Sequence, residues 1–312
     1  MSITNIIKER SERLYALSHK AYSKKDLFAE LRGDEKKYKV LIEASKIFLC
    51  DCLNEYFKDE IFDLSLPMDD FFKKYDSYIL ELPNITPNGL VLPKREVLLT
   101  YNNMLKAVSG LYSNLGLDQT CVAAACPVNL RINFGNRIKE EFKSRPKSST
   151  TWHTDIWAGQ NSNEVMLHTP IFGDFKKNGI MLATPTDEFF PDFIKPLNSF
   201  SEGQESIRRS IEKAYNPEMK IGSSYLLDSF LLHRTLNTDD SFRGIISFPI
   251  KVEKIESDIY QNKDRESEYY ESSEWMKFGN KKLIITNKKL EKLVYKDESN
   301  NVYADKFDSI DI

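Results

Sequence analysis

Histidine and cysteine are scarce in this chain of 312 residues, which contains four of each. Cys50, Cys52, Cys121 and Cys126 lack the paired Cys-x-x-Cys spacing of a zinc site, so buried free thiols are expected. The net charge is only −3, which gives no electrostatic footprint for nucleic acid. The chain has neither an apolar signal core nor a run long enough to span a membrane, so we expect a cytoplasmic protein.

Hydrophobic patterning divides the chain into three regions. Residues 1–127 are predicted to be mainly helical, and the clearest apolar stripe runs from Val97 to Leu115. Residues 128–252 show short alternating segments separated by turns, which is typical of a β-barrel or a double-sheet jelly roll. Residues 253–312 are highly charged, and they are interpreted as an extension that forms either a cap or a lid. We expect one structural domain of the α+β class, with the helical region packed on the strands.

Two of the four histidines belong to a pattern with chemical meaning. His153 is followed two residues later by Asp155, and His233 lies far downstream with Arg243 ten residues beyond it. Two imidazoles and one carboxylate on one face of a metal leave positions open, as iron(II) oxygenases require. The planar fork of an arginine matches a carboxylate such as that of 2-oxoglutarate. The sequence therefore predicts iron(II) at His153, Asp155 and His233, called here the metal triad, and 2-oxoglutarate at Arg243.

Alternation along two segments supports this prediction. Residues two apart in a strand share a face, so His153 and Asp155 are expected to point the same way. The segment 243–252 separates into an apolar face and a mixed face that carries Arg243. This pattern is typical of a strand with one face on a core and the other on a polar cavity.

The segment 128–134 shows the same division into two faces. Its apolar residues are expected to pack on the helical region, while Arg131 and Asn133 point into the cavity and contact co-substrate or substrate. An arginine in this position favours a substrate with an anionic group. The alternative is an edge strand whose polar face is solvated.

Four segments, in this order, resemble the phytanoyl-CoA dioxygenase-like branch of the iron(II)/2-oxoglutarate oxygenases, which includes ectoine hydroxylase. They are RINF at 131–134, WHTD at 152–155, NGIMLATP at 178–185 and HRTLNTDDSFRG at 233–244. The resemblance covers roughly residues 128–252. It implies a double-stranded β-helix, or jelly roll, with an iron site at one mouth.

The resemblance also assigns roles to single residues. It implies that the metal triad binds iron and that Arg243 and Thr235 hold the distal carboxylate of 2-oxoglutarate. His168 lies near the position where the family often has a tryptophan beside the co-substrate. The chain departs from the family at residues 185–188, where Pro-Thr-Asp-Glu replaces Pro-Gly-Ser-His, so the loop on the substrate side is expected to differ.

These observations together predict a non-haem iron(II) and 2-oxoglutarate-dependent oxygenase. It would use O₂ to hydroxylate, or otherwise oxidise, a sugar-like or anionic small molecule. Two alternatives stay open. A cupin-like, metal-dependent isomerase would need neither Arg243 nor 2-oxoglutarate, and a binding protein with a chance motif would retain no iron.

Overall fold

The structure is a computed structural model that describes residues 2–86, 88–125, 128–137, 144–186 and 194–252. It also describes the backbone of five short strands beyond residue 274. These residues form α-helices and antiparallel sheets. No helix within the described ranges is long and apolar enough to cross a membrane.

Most of the helices lie early in the chain. Those that the described residues form are α1 (Ile3–Ala16), α2 (Glu35–Tyr56), α3 (Met68–Leu80), α4 (Leu98–Asn114) and α5 (Arg208–Ile211). The carboxylate of Asp34 accepts a hydrogen bond of 2.8 Å from the backbone N–H of Lys36, which satisfies one free donor where α2 begins. The apolar stripe predicted for α4 is buried, as expected.

The strands are numbered in chain order. They are β1 (Ala21–Lys25), β2 (Phe28–Leu31), β3 (Leu90–Val91), β4 (Cys121–Ala125), β5 (Asn129–Asn133), β6 (Glu164–Gly173), β7 (Ile180–Ala183), β8 (Ser224–Asp228), β9 (Leu232–Thr235), β10 (Arg243–Val252), β11 (Trp275–Lys277), β12 (Lys282–Ile285), β13 (Val294–Tyr295), β14 (Val302–Tyr303) and β15 (Asp308–Asp311).

A large antiparallel sheet is organised around β10. The order β1-β2-β8-β6-β10 continues to β4 and β11, while β5 pairs with the first half of β10 and with β3. A separate sheet consists of β7 and β9. The last described strands form two further pairs, β12 with β15 and β13 with β14.

Two apolar cores lie on either side of the large sheet. One core joins α2, α3 and α4 to the sheet, and it includes Ile246, Phe248, Ile250 and Val252 of β10. The other joins α1, β7, β8 and β9, and it includes Ile245 from the opposite face of β10. The alternation predicted for residues 243–252 is therefore confirmed, and so is the packing of helices on the sheet.

The region 1–127 is less purely helical than its pattern predicts. It also supplies β1, β2, β3 and β4 to the large sheet, and β2 pairs with β8 some two hundred residues downstream. These strands are short, and β4 is rich in alanine, which has a low preference for strands. Apart from β1, which pairs with the adjacent β2, these strands pair with distant partners that a local pattern cannot reveal. The predicted cap or lid at 253–312 lies mostly outside the described residues.

The cysteines within the described residues are free and buried, as predicted. Cys50, Cys52 and Cys121 form no disulfide, while Cys126 lies outside the described residues. Burial raises the pKa of both Cys52 and Cys121 to about 12. These thiols are therefore protonated at neutral pH and behave as small apolar side chains.

Phe72 should be a main contributor to stability, because it joins α3 to the sheet. Its ring centroid lies 4.5 Å from that of Phe172 and 4.0 Å from that of Phe242, and the side chain is fully buried. We expect Phe72→Ala to lower the free energy of unfolding by about 3–5 kcal/mol, measured by urea denaturation. Ile61→Ala is the control, because Ile61 is 90% exposed. Equal effects of the two substitutions would contradict this account of the core.

Candidate metal centre

Two backbone hydrogen bonds bring the distant histidines together. The N–H of His153 donates to the carbonyl of His233 over 3.0 Å, and the N–H of His233 donates back over 2.8 Å. This isolated antiparallel bridge places the two residues directly opposite each other, with their imidazole centroids 4.3 Å apart. His233 lies in β9.

Asp155 reaches the site from a turn, so the strand predicted around His153 is wrong beyond that residue. The carbonyl of Asp155 accepts from the N–H of Gln160 over 2.9 Å, and Gly159 adopts a φ of 103° that side chains rarely permit. Trp157 is buried in the second core. Its ring packs closely on Gly203, since a Cβ atom added to Gly203 would lie only 2.2 Å from that ring. The turn was missed because the His-x-Asp spacing fits a strand equally well.

The three side chains converge in a geometry that suits one ion. The potential ligand atoms of His153, Asp155 and His233 all lie within 4.8 Å of one another. Nε2 of His233 lies 3.8 Å from a carboxylate oxygen of Asp155. Four or more donors would close the coordination shell, whereas this set leaves positions free for other ligands.

The backbone fixes the tautomer of both imidazoles. Nδ1 of His153 lies 2.7 Å from the carbonyl of Thr151, and Nδ1 of His233 lies 2.9 Å from the carbonyl of Leu231. A carbonyl can only accept, so Nδ1 carries the proton in both rings. Each Nε2 therefore presents its lone pair, which is how a second group usually prepares histidine for a metal.

Burial keeps the imidazole of His153 neutral. The ring of His153 stacks on Phe200 with centroids 4.3 Å apart and planes within 7°. Desolvation holds the pKa of His153 well below its usual value, and the neighbouring His233 lowers it further. A neutral imidazole is the form that binds a metal.

A cavity of about 190 Å³ adjoins the triad, between the large sheet and β9. The lining includes Arg131, His168 and Arg243, each from a different strand of the large sheet. A second cavity of about 310 Å³ shares Arg131, Thr235 and Arg243 with the first. The structure thus brings together the metal triad and four of the five residues that were predicted to bind co-substrate.

Arg243 is held rigidly from one side. Its Nε donates to the backbone carbonyl of Asn178, and its guanidinium lies 5.6 Å from the ring centroid of Phe175. Burial, and then the charge of Arg131, lowers the pKa of Arg243 to about 9, so the group remains cationic at neutral pH. Within the described part of the chain, its two Nη groups have no hydrogen-bond partner.

The other predicted co-substrate residues have different surroundings. Thr235 lines both cavities, and its N–H donates to the carbonyl of Ser149. Burial, and then the charge of Arg131, holds the pKa of His168 well below its usual value, so its ring is neutral.

Asn133 differs from these residues, because its amide is already engaged. Its Nδ2 donates to Asn237 over 2.8 Å, and its Oδ1 accepts from the N–H of Gly135 over 3.0 Å. It lines the second cavity rather than the one beside the triad. These bonds hold the chain after β5 against the segment that leads into β10.

A buried ion pair that the sequence patterns did not predict supports the turn before His233. Nε of Arg10 in α1 donates to Asp228 over 2.9 Å, and both side chains are at least 96% buried. The carboxylate of Asp228 also accepts from the N–H of Phe230. The turn that follows Asp228 supplies the carbonyl of Leu231, which fixes the tautomer of His233. No local signal marks this pair, since its members lie 218 residues apart.

The loop 144–151 is a second feature that the sequence did not reveal. Its Thr151 carbonyl holds the His153 imidazole, and its Lys147 lines the cavity beside the triad. Loop composition alone gives no indication that this lysine faces the metal centre.

Comparisons with known proteins found similarity to solved structures only. It matches no protein-family model and no curated protein sequence. Among solved structures, it is similar to the non-haem α-ketoglutarate-dependent carbocyclase SnoK of nogalamycin biosynthesis, with 10% identity, a TM-score of 0.38, and coverage of 81% of this chain and 86% of that one. It is also similar to iron-bound EctD from S. alaskensis, with 13% identity, a TM-score of 0.39, and coverage of 78% and 85%.

One divalent ion should bind to each chain, and Asp155→Ala should abolish this binding. The substitution removes the only carboxylate of the metal triad, and two imidazoles alone hold iron(II) weakly. Metal content after anaerobic loading with iron(II) and desalting provides the measurement. His19→Ala is the matched control, because His19 is exposed and remote from the triad. Full iron occupancy in Asp155→Ala would refute the assignment.

Removal of the buried positive charge of Arg10 should lower the free energy of unfolding. Arg10→Met leaves Asp228 buried without its partner, which typically costs about 3–5 kcal/mol in the free energy of unfolding. Asp228→Asn in the same chain should recover part of this loss, since it removes the uncompensated charge. Lys39→Ala should change stability little, because the Lys39–Glu35 pair is exposed. Urea denaturation of the four proteins would test this, and no recovery in the double variant would contradict it.

Proposed function

We propose that this protein is a non-haem iron(II) and 2-oxoglutarate-dependent oxygenase of a small molecule. The observation that carries the proposal is the convergence of a ring nitrogen from each of two imidazoles and one carboxylate oxygen within 4.8 Å, with both imidazole tautomers fixed for coordination. In this proposal the large sheet and the β7–β9 sheet form the two halves of a double-stranded β-helix. The metal triad lies at the open end between them.

The donor set supports iron(II) in particular. Two neutral imidazoles and one carboxylate, with other positions left open, are the ligands of non-haem iron(II) oxygenases. Structural zinc sites usually have four protein ligands, often cysteines, and none of the described cysteines lies at this site. His153, Asp155 and His233 would hold the ion.

The cavity supports 2-oxoglutarate as co-substrate. Asn178 engages the Nε of Arg243, so the Nη groups are available for the far carboxylate of the co-substrate. Thr235 lies at the end of β9, two residues from His233, and lines the same cavity. We propose that its hydroxyl donates to that carboxylate. His168, neutral and buried, would form the side wall.

Iron and 2-oxoglutarate supply the oxidative chemistry, in which O₂ oxidises a substrate C–H while the co-substrate becomes succinate and CO₂. The protein binds the reactants, orients them and limits the access of water. Phe200 covers one face of His153, and the carbonyl groups of Thr151 and Leu231 keep the Nδ1 protons in place. The protein therefore contributes fixed geometry in a largely buried site.

The test of this function is succinate formation that requires iron(II), 2-oxoglutarate and O₂ together. The purified chain should release succinate slowly alone and faster when a pool of small anionic and sugar-like metabolites is added. Anaerobic addition of 2-oxoglutarate to the iron-loaded protein should also produce a metal-to-ligand charge-transfer band. A metal-dependent isomerase would bind iron without this band, and a protein with a chance motif would bind neither.

Arg243→Ala should weaken 2-oxoglutarate binding while leaving iron affinity nearly unchanged. The loss of one member of a desolvated charge pair costs about 2–5 kcal/mol, which corresponds to at least a 30-fold rise in the dissociation constant. Anaerobic titration of the charge-transfer band gives the affinity, and metal analysis gives the iron content. Arg208→Ala is the control, because the Arg208 side chain is 79% exposed. Equal affinity in Arg243→Ala would remove the arginine from the co-substrate site.

A further inference from the structure

The cavity beside the metal triad carries an excess of positive charge. Its described lining contains Arg131, Lys147 and Arg243 and one carboxylate, that of Asp155. Arg131 lies opposite Ile245, so Arg131 and Arg243 are diagonal neighbours on one face of an antiparallel pair, about 7–8 Å apart. Their proximity contributes to the lowered pKa of Arg243. Like charges so close together in a partly buried space favour the binding of anions.

With iron(II) bound, the charge of 2-oxoglutarate does not balance this excess. Iron(II) with Asp155 carries one positive charge, and this charge and that of Arg243 together match the two negative charges of 2-oxoglutarate. Lys147 adds a further positive charge whichever arginine the co-substrate uses. Within the described part of the chain, Lys147 forms no hydrogen bond or ion pair. Its charge therefore has no described partner in the protein, and the co-substrate does not supply one.

The loop that carries Lys147 is fixed at both sides of the lysine. The carbonyl of Pro146 accepts hydrogen bonds from the N–H of Phe200 over 2.9 Å and from the hydroxyl of Ser199 over 3.1 Å. The carbonyl of Ser149 accepts from the N–H of Thr235 over 2.7 Å. Phe200 stacks on one iron ligand, and Thr235 follows another by two residues. The backbone of Lys147 is therefore held in register with the metal triad.

We propose that the organic substrate carries an anionic group, a phosphate or a carboxylate, and that Lys147 binds this group. This inference rests on the proposed function. Arg243 receives the co-substrate, whereas Lys147, on the loop 144–151, receives the substrate. The neighbouring cavity of about 310 Å³ offers apolar walls from Leu82, Pro83 and Ile85 for the rest of a small molecule. Its acidic lining residue, Glu81, is exposed and lies at the end of α3.

The experiment uses the full chain, loaded anaerobically with iron(II) and saturated with 2-oxoglutarate. Sulfate serves as the probe for a tetrahedral anion and acetate as the probe for a carboxylate, with ionic strength held constant by sodium chloride. Each anion is titrated while the charge-transfer band and the heat of binding are recorded. We expect at least one of them to bind saturably and to perturb the band while the co-substrate stays bound.

Three variants identify the residue responsible. Lys147→Ala should raise the dissociation constant of the anion at least tenfold while retaining the band with 2-oxoglutarate, which shows that the variant is folded and loaded. Lys147→Arg should keep the affinity within about threefold, because it preserves the charge. Lys58→Ala should match the wild type, since the Lys58 side chain is 74% exposed.

The possible results separate this inference from the function on which it rests. Absence of the band in the wild-type protein would overturn the proposed function, and the inference with it. A normal band with no anion binding, or with equal binding in Lys147→Ala, would overturn the inference alone. The same holds if the anion displaces 2-oxoglutarate or if Lys147→Ala loses the band, because either result assigns the cationic sites to the co-substrate.

Discussion

The metal centre depends on one reciprocal pair of backbone hydrogen bonds, between His153 and His233. These bonds connect two segments that lie eighty residues apart. They set the separation of the two imidazoles without the help of side-chain contacts. The carbonyl groups of Thr151 and Leu231 then fix the tautomers. Each of these carbonyls lies two residues before its histidine, so both ligands use the same local arrangement. The main chain thus determines both the separation and the tautomers of the two imidazoles.

Two separate sets of contacts support this bridge. On one side, Arg10 of α1 pairs with Asp228, whose carboxylate also holds the turn that leads to β9. On the other side, the loop 144–151 joins the triad to Phe200 and Thr235. The helical region therefore does more than cover an apolar face. Its first helix is part of the structure that positions His233.

Local patterns predicted much of this arrangement correctly. The alternation along β10 predicted which face meets the helices and which face carries Arg243, because a strand has a fixed period of two. The spacing of His153 and Asp155 predicted their convergence but not its form, because a turn and a strand both bring residues two apart together. The stripe of α4 predicted a buried helix for the same periodic reason.

Apart from the turn at Asp155, the features that escaped prediction depend on distant partners. β2 joins the sheet through β8, and the amide of Asn133 donates to Asn237. Lys147 is ordinary in its sequence context, and only the bonds around Pro146 and Ser149 place it at the cavity. Such relations are tertiary, so no window of neighbouring residues contains them.

The pairing of Arg10 with Asp228 also constrains the order of folding. Arg10 emerges early during synthesis, but its partner lies 218 residues later, and β2 must likewise wait for β8. Contacts of such long range are slow to form, since a large loop must close before they contribute. Helix α1 therefore cannot reach its final environment until β8 has been synthesised. Its burial and its ion pair depend on a strand that lies far downstream, so the two regions must fold together.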